Sequence, residues 1–348
     1  MDQPITDLEE NVPEKQSGCT NCGHPVLSEG ATSLCSECRE SFIKFPIPVL
    51  IKAFGGIVLL ILIFAMTKFP KSLSAGVHYE RGNDAMDNHN YYTAQREFEK
   101  VIKEIPDYSE AKQHLAIASF HNLDMNVFIP VANELVGKAI EDQGTYFELQ
   151  KIIDKAGDYF PSDSFSLLME NYPSIDSIPE QDYRDYISKY PEEVFPISRF
   201  ASVLLNQNRY TECDSVLNGL LIYDGNFVNA LTLKTSLKRQ IGQMDSSHYY
   251  CDKLLSLNQE FSYGIASKAR TYLMEKKNKE GLQWAQKSVA IDKKDFYSLA
   301  TLAMAYHFNN KTAERDKLIK EVEADSVGVT YIGFVKDVIS GKEKFQNR

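Results

Sequence analysis

The sequence predicts a mainly α-helical protein, an α-solenoid of helical hairpins preceded by a small cysteine-rich head and one transmembrane helix. Three observations predict it. Small residues recur every 34 positions after residue 194, with an earlier matching unit at 75–108. A run of 20 residues from Pro48 to Thr67 carries one charge, Lys52. Two C-x2-C pairs precede that run, Cys19/Cys22 and Cys35/Cys38.

Residues 1–16 read as a disordered acidic N-terminus. Residues 1–45 carry eight acidic side chains against Lys15, Arg39 and Lys44, and the whole chain has a net charge of −10. Phosphate-backbone binding needs clustered Lys and Arg, so no nucleic-acid partner is expected. The composition, 43% hydrophobic and 25% charged, is that of a folded protein.

The cysteine pairs come next. Zn²⁺ favours tetrahedral thiolate coordination, and a two-residue gap lets both sulfurs of one tight turn reach the same ion. Gly23 follows the first pair, where a positive φ suits such a turn. Arg39 stands at the matching place after the second pair, a less favourable turn. Four sulfurs leave no open coordination position, so the site would be structural rather than catalytic. His24 is surplus to that set and reads as a surface histidine.

This segment resembles the zinc-ribbon family over residues 17–40. The resemblance implies one structural Zn²⁺ held by Cys19, Cys22, Cys35 and Cys38. The competing reading is two disulfides in a secreted segment. A metal staple suits better a head with so little apolar sequence and no cleavable signal.

A helix of the length of Pro48–Thr67 rises ~30 Å, the thickness of a bilayer core. Pro46 and Pro48 suit a helix start, and Pro70 is expected to stop it, giving a span over 46–68. A buried core helix would show a polar face, and Ala53–Met66 shows none. A signal peptide is typically ~15–30 residues with a short basic start, whereas here 47 residues come first. Flanking charges tie, with Arg39, Lys44 and Lys52 against Lys68, Lys71 and Arg81, so the positive-inside rule does not orient the span. Thiolate sites persist in reducing compartments. The head is therefore expected in the cytoplasm, with the chain anchored in the inner membrane and residues 71–348 outside.

Beyond the span, Ala75–Tyr108 sets the repeat frame. Gly82 stands where two helices approach closely, Tyr91 and Tyr92 follow the turn, and Ala94, Phe98 and Val101 form the inner stripe of the second helix. From residue 194 the close-packing position holds Ala201, Thr235, Ala269 and Ala303, followed three residues later by Leu204, Lys238, Tyr272 and Tyr306. The small position of the second helix holds Cys213, Ser247 and Gly281, and a shorter turn is expected to bring Ala313 there. Small residues at these places let paired helices nest.

The pattern resembles the tetratricopeptide-repeat family across residues 75–142 and 194–329. Residues 143–193 read as an irregular helical spacer or diverged repeats. Helices are expected at Tyr146–Tyr159, Ser164–Asn171 and Gln181–Lys189, punctuated by prolines. A capping helix around Val329–Ser340 and a tail close the chain at 330–348.

The resemblance implies protein or peptide partners along the concave surface made by the first helices. The lining candidates are Tyr79, Asn83 and Met86, then Tyr263, Arg270, Leu273, Tyr297, Met304, His307 and Phe308. Members that grip chaperone C-termini use Lys and Asn four residues apart in the first helix. The equivalents here are Tyr79/Asn83 and Ser198/Ser202, which argues against that grip. Cys213 and Cys251 fall on inward positions, as small buried residues or, outside the cytoplasm, a disulfide. Asn310-Lys311-Thr312 is a glycosylation sequon.

No two helical histidines stand at ligand spacing, and the catalytic motifs H-E-x-x-H and G-x-S-x-G are absent from the sequence. The expected function is thus a non-enzymatic, membrane-anchored scaffold. The alternative is a transmembrane sensor that signals through the cysteine-rich head.

Overall fold

The computed structural model describes residues 18–26, 33–43 and 47–345. The acidic segment expected at 1–16 lies outside them. The chain divides into two compact units, Met1–Pro70 and Lys71–Arg348.

In the first unit, α1 covers Ser36–Ile43. Helix α2 begins at Val49 and runs to Asp87, across the division. The stop expected at Pro70 is not there. A proline inside a helix removes one hydrogen bond and costs roughly 3 kcal/mol. Both flanking stretches favour helix, and Ala75 and Ala85, 1% and 6% exposed, pack into the core beyond it.

The second unit is an α-solenoid of helical hairpins, tetratricopeptide-like in its 34-residue frame. The end of α2 pairs with α3 (Tyr91–Glu104), and α4 (Ser109–His121) pairs with α5 (Met125–Leu135). The spacer resolves into α6 (Gln143–Ala156), α7 (Asp163–Met169) and α8 (Glu180–Lys189), with short 3₁₀ turns at Gly157–Tyr159 and Ile175–Ser177. Four regular hairpins follow: α9 (Val194–Asn206) with α10 (Tyr210–Tyr223), α11 (Val228–Gln240) with α12 (Met244–Leu257), α13 (Ser262–Met274) with α14 (Asn278–Ile291), and α15 (Phe296–Phe308) with α16 (Thr312–Val322). The cap is α17 (Ser326–Ile339), begun by Asp325, whose carboxylate accepts from the Val327 and Gly328 amides.

Packing follows the small positions. Ala201, Thr235, Ala269 and Ala303 are each 0% exposed, and so are Cys213 and Ser247. Ala313 is the exception. The last turn is as long as the others, so Arg315 rather than Ala313 takes the fourth place of α16, and Ala313 is exposed. Cys213 and Cys251 are free and fully buried. They sit one helical turn out of register on α10 and α12, and burial pushes their thiols up to about 11 and about 12.

Gly82 shows what the frame requires. A Cβ there would lie 2.5 Å from Cε1 of Phe98, itself 0% exposed. Gly82→Ala should therefore cost about 1–3 kcal/mol by overpacking. Phe98→Leu removes the atoms that collide, so in that background the same substitution should cost less. Equal costs in both backgrounds, by denaturant unfolding, would show that the two residues do not share the gap.

All six hairpin turns close alike. The second residue after each first helix is left-handed: His89, Leu123, Asn208, Gly242, Lys276 and Asn310, with φ between 53° and 79°. The following residue donates its amide back to a carbonyl of the last helical turn, as in Asn90 to Ala85 (2.8 Å) and Lys277 to Tyr272 (2.9 Å). This is the Schellman arrangement, which satisfies carbonyls that a helix end leaves open.

The spacer does not simply interrupt the array. Tyr159 packs between Phe120 and Phe227, at 5.7 and 5.1 Å between ring centres, and α8 leads onto α9. The early hairpins also meet the α12–α13 turn. The Gln259 amide donates to His89 O at 2.9 Å, Thr93 N and Oγ1 donate to Glu260 at 2.7 and 2.8 Å, and the Asn258 side chain donates to Asn122 Oδ1 at 2.8 Å. A cavity of about 260 Å³ lies at this seam, lined by Tyr91, Phe120, His121, Ile152, Tyr159 and Phe261 among others.

Candidate functional site

The four head cysteines come together. Their sulfurs all lie within 4.8 Å of one another, and Cys22 and Cys35 are 3.5 Å apart. A tetrahedral ion with ~2.3 Å metal–sulfur bonds spaces its sulfurs by about 3.8 Å. The donor set thus fits a thiolate-bound divalent ion. All four cysteines are free of disulfides.

The first pair is held as its sequence predicts. Gly23 has φ 76° and its amide donates to Cys19 O at 2.9 Å, while the Cys19 amide donates to His24 O at 2.7 Å. Gly18 and Pro25 form an isolated antiparallel bridge. The second pair differs from expectation. It opens helix α1, with the Arg39 amide donating to Cys35 O at 2.9 Å. Without a glycine after Cys38 the backbone continues in the right-handed helical region, so one turn and one helix start face each other. Among the described residues there is no ribbon of strands; positions 27–32 lie outside them.

The electrostatics also favour a cation. Amides of Cys35 and Asn21 hold the Cys19 thiol down to about 6. At Cys22 the His24 amide lowers the thiol, but the sulfurs of Cys38, Cys35 and Cys19 outweigh it and push it up to about 12. Positive charge placed among the sulfurs would favour the thiolate form of Cys22. Asn21 Nδ2 donates to Cys38 Sγ at 3.4 Å, a support for that ligand from outside the sulfur shell. His24 is exposed and stands apart from the set.

The partner-facing candidates fall into separate places. Successive first helices α9, α11, α13, α15 and α17 pack on one another, whereas the second helices do not pack comparably among themselves. This puts the first helices on the inner side of the array. Tyr79 is half-buried, stacked on His114 with 5.6 Å between ring centres, and Asn83 hydrogen-bonds the same ring at 2.8 Å. Burial lowers His114 from its usual range. Met86 is partly buried between two core clusters.

Tyr263, Arg270 and Tyr297 do meet: the tyrosine rings stack at 4.1 Å and the Arg270 guanidinium lies 4.0 Å from the centre of the Tyr297 ring. Tyr263 and Tyr297 are half-buried, but Arg270 is only 6% exposed. Met304 and Leu273, 1% and 3% exposed, are core residues rather than lining ones, because α13 and α15 are wrapped on several sides. His307 lies 3.1 Å from Arg315 Nη1, and Phe308 packs on Phe345 at 5.2 Å. Burial and then Arg315 lower His307 from its usual range.

Arg239 escaped the sequence reading. It lies four residues past the close-packing Thr235, on the inner side of α11, and is 1% exposed. Its only sequence signal is a cation in an inward place of a first helix, facing the next repeat.

The fold is similar to solved repeat structures at low identity. A tetratricopeptide repeat protein from Parabacteroides merdae matches at 14% identity and TM-score 0.40, over 79% of this chain and 90% of that one. Yeast Tom70 matches at 13% and 0.37, over 72% and 59%. A thermophilic TPR protein of Thermus thermophilus matches at 16% and 0.26, over 66% and 98%. No family model and no curated relative matches the sequence.

Proposed function

We propose that this chain is a single-pass membrane-anchored scaffold. A head stapled by structural Zn²⁺ through Cys19, Cys22, Cys35 and Cys38 faces the cytoplasm. The solenoid on the other side binds protein partners along its first helices. One observation carries the reading: every residue from 47 to 66 is exposed, although the stretch is almost wholly apolar. Water is a poor solvent for such a helix, and none of the described residues covers it. Lipid would cover it.

A membrane anchor would raise the local concentration of whatever the solenoid recruits. The inner face offers half-buried aromatic rings, a surface suited to peptides. Binding rather than catalysis is the reading these features favour.

Alkaline carbonate should leave the full chain in the membrane pellet, and Leu60→Lys with Ile61→Lys should release it. Release of the unaltered chain would sink the anchor. Protease added to intact cells, with any outer membrane opened but the inner one sealed, should cut residues 71–348 while the head survives. Cleavage only after the cytoplasm is opened would reverse the proposed orientation.

A further inference from the structure

Two arginines lie beneath the inner face of the regular array with no acid to match them. Arg239, on α11, is 1% exposed. Its Nη1 and Nη2 reach Ser267 O and Ser236 Oγ only at 3.4 Å each, and its Nε has no hydrogen-bond partner. Arg270, on α13, gives its Nε to Thr301 Oγ1 at 2.8 Å and lies against the Tyr297 ring. Among the described residues neither arginine forms an ion pair. The acid that bears on Arg270 is Asp295, whose carboxylate is occupied in starting α15, where it accepts from the Tyr297 amide and the Ser298 hydroxyl.

The chain treats its other buried cations differently. Lys112 pairs with Glu134 and Lys234 with Asp214, at 2.5 and 2.6 Å. Burying a guanidinium without a counter-ion costs several kcal/mol. Here two of them also repel, since burial and then Arg239 pull Arg270 below its usual range. An arriving anion would relieve both costs, and the planar guanidinium fork suits an oxyanion.

We propose that Arg239 and Arg270, flanked by the stacked Tyr263 and Tyr297, form a receptor for a carboxylate on an acidic, extended segment of a partner protein. The assignment rests on the reading of this face as partner-binding and adds the chemistry of what it takes. The stacked rings are half-buried beside the buried charges, and their remaining exposed edges give a peptide chain an apolar platform and its acidic side chain a charged floor. This pair occupies different positions from the Lys/Asn grip that the sequence lacks.

The test titrates the full chain in detergent micelles with a synthetic Glu/Gly peptide, its Gln/Gly counterpart and inorganic phosphate, at matched ionic strength. The Glu peptide should bind at least about tenfold more tightly than the Gln peptide, roughly 1.4 kcal/mol. Arg239→Gln and Arg270→Gln should each abolish that preference while the melting temperature holds or rises. Arg270→Lys, which keeps charge but loses the fork, should fall between. Equal affinity for both peptides, or a preference unchanged in the Gln variants, overturns the receptor. Phosphate binding without peptide discrimination overturns the peptide assignment. No Glu preference in the unaltered chain, with a partner still cross-linked to the inner face, sinks the receptor alone. A kept preference with no partner cross-linked there sinks the scaffold alone.

Discussion

Full-length protein purified without chelator should carry one Zn²⁺ per chain, and Cys35→Ser with Cys38→Ser should carry none. The expected effect is large because a metal held by the four sulfurs would be the main source of order in a head with little apolar core. Among its described residues the head holds one short helix, one turn and one isolated bridge. Structural zinc sites in peptides contribute on the order of 10–16 kcal/mol at neutral pH, and that energy is folding energy. Chelation should therefore unfold the head and leave residues 71–348 unchanged, since their core clusters are built from their own helices.

The pH dependence follows from the ligands. Metal binds thiolates, so acid competes with zinc at each sulfur, and occupancy should fall as pH drops. A bound cation would oppose the rise to about 12 that hydrogen bonding with the sulfurs of Cys38, Cys35 and Cys19 imposes on Cys22. Metal analysis together with thiol counting decides the matter. A metal-free head with two disulfides would overturn the centre, and so would zinc retained by the double variant.

The repeat architecture was legible because its signal is steric and periodic. Gly82, Ala201, Ala269, Ala303 and Gly281 are small because a neighbouring helix lies within contact distance, as at Gly281, where a Cβ would fall 2.5 Å from Leu273 Cδ2. The turns were far less legible. Gly242, Asn208 and Asn310 suit a left-handed residue, but His89, Leu123 and Lys276 occupy the same conformation without a sequence sign. There the hairpin packing imposes the geometry and the side chain accepts it.

Pro70 misled for a related reason: local preference argued for a break, while the apolar and packed stretches on either side carried the helix through. The second cysteine pair misled because spacing alone does not distinguish a turn from a helix start. Among the lining candidates, frame position placed Tyr263 and Tyr297 on the inner helices but did not reveal depth. Arg270 and Met304 share the inner helices and are buried, because each first helix there is packed by two hairpin neighbours. The contacts across 136 to 167 residues, from Asn122 and Thr93 to Asn258 and Glu260, leave no periodic trace at all.

Asp214→Asn should destabilise the solenoid by about 3 kcal/mol, whereas Lys234→Met should be nearly neutral. Lys234 is 1% exposed on α11, and its ammonium donates to Asp214 Oδ1 and Asn218 Oδ1 at 2.6 Å each, and to Asp214 O at 3.2 Å. Lys238 joins Asp214 from the next turn at 3.0 Å. Removing the carboxylate strands a desolvated cation that has no route to water. Removing the lysine instead leaves a carboxylate whose side chain is 31% exposed and still paired with Lys238. Met keeps most of the volume, so no large cavity opens.

The same asymmetry sets the pH response. Burial alone would raise Asp214, but the bonds from Lys234 and Lys238 outweigh it and hold the carboxyl below its ordinary range. A depressed carboxyl contributes its stability above the unfolded value, ~3.9, and that contribution is lost as pH falls through the lower folded value. The gap between wild type and Asp214→Asn in urea unfolding should thus be full at neutral pH and close in acid. A gap that persists unchanged in acid would mean that Asp214 acts through its shape or backbone contacts and not through its charge.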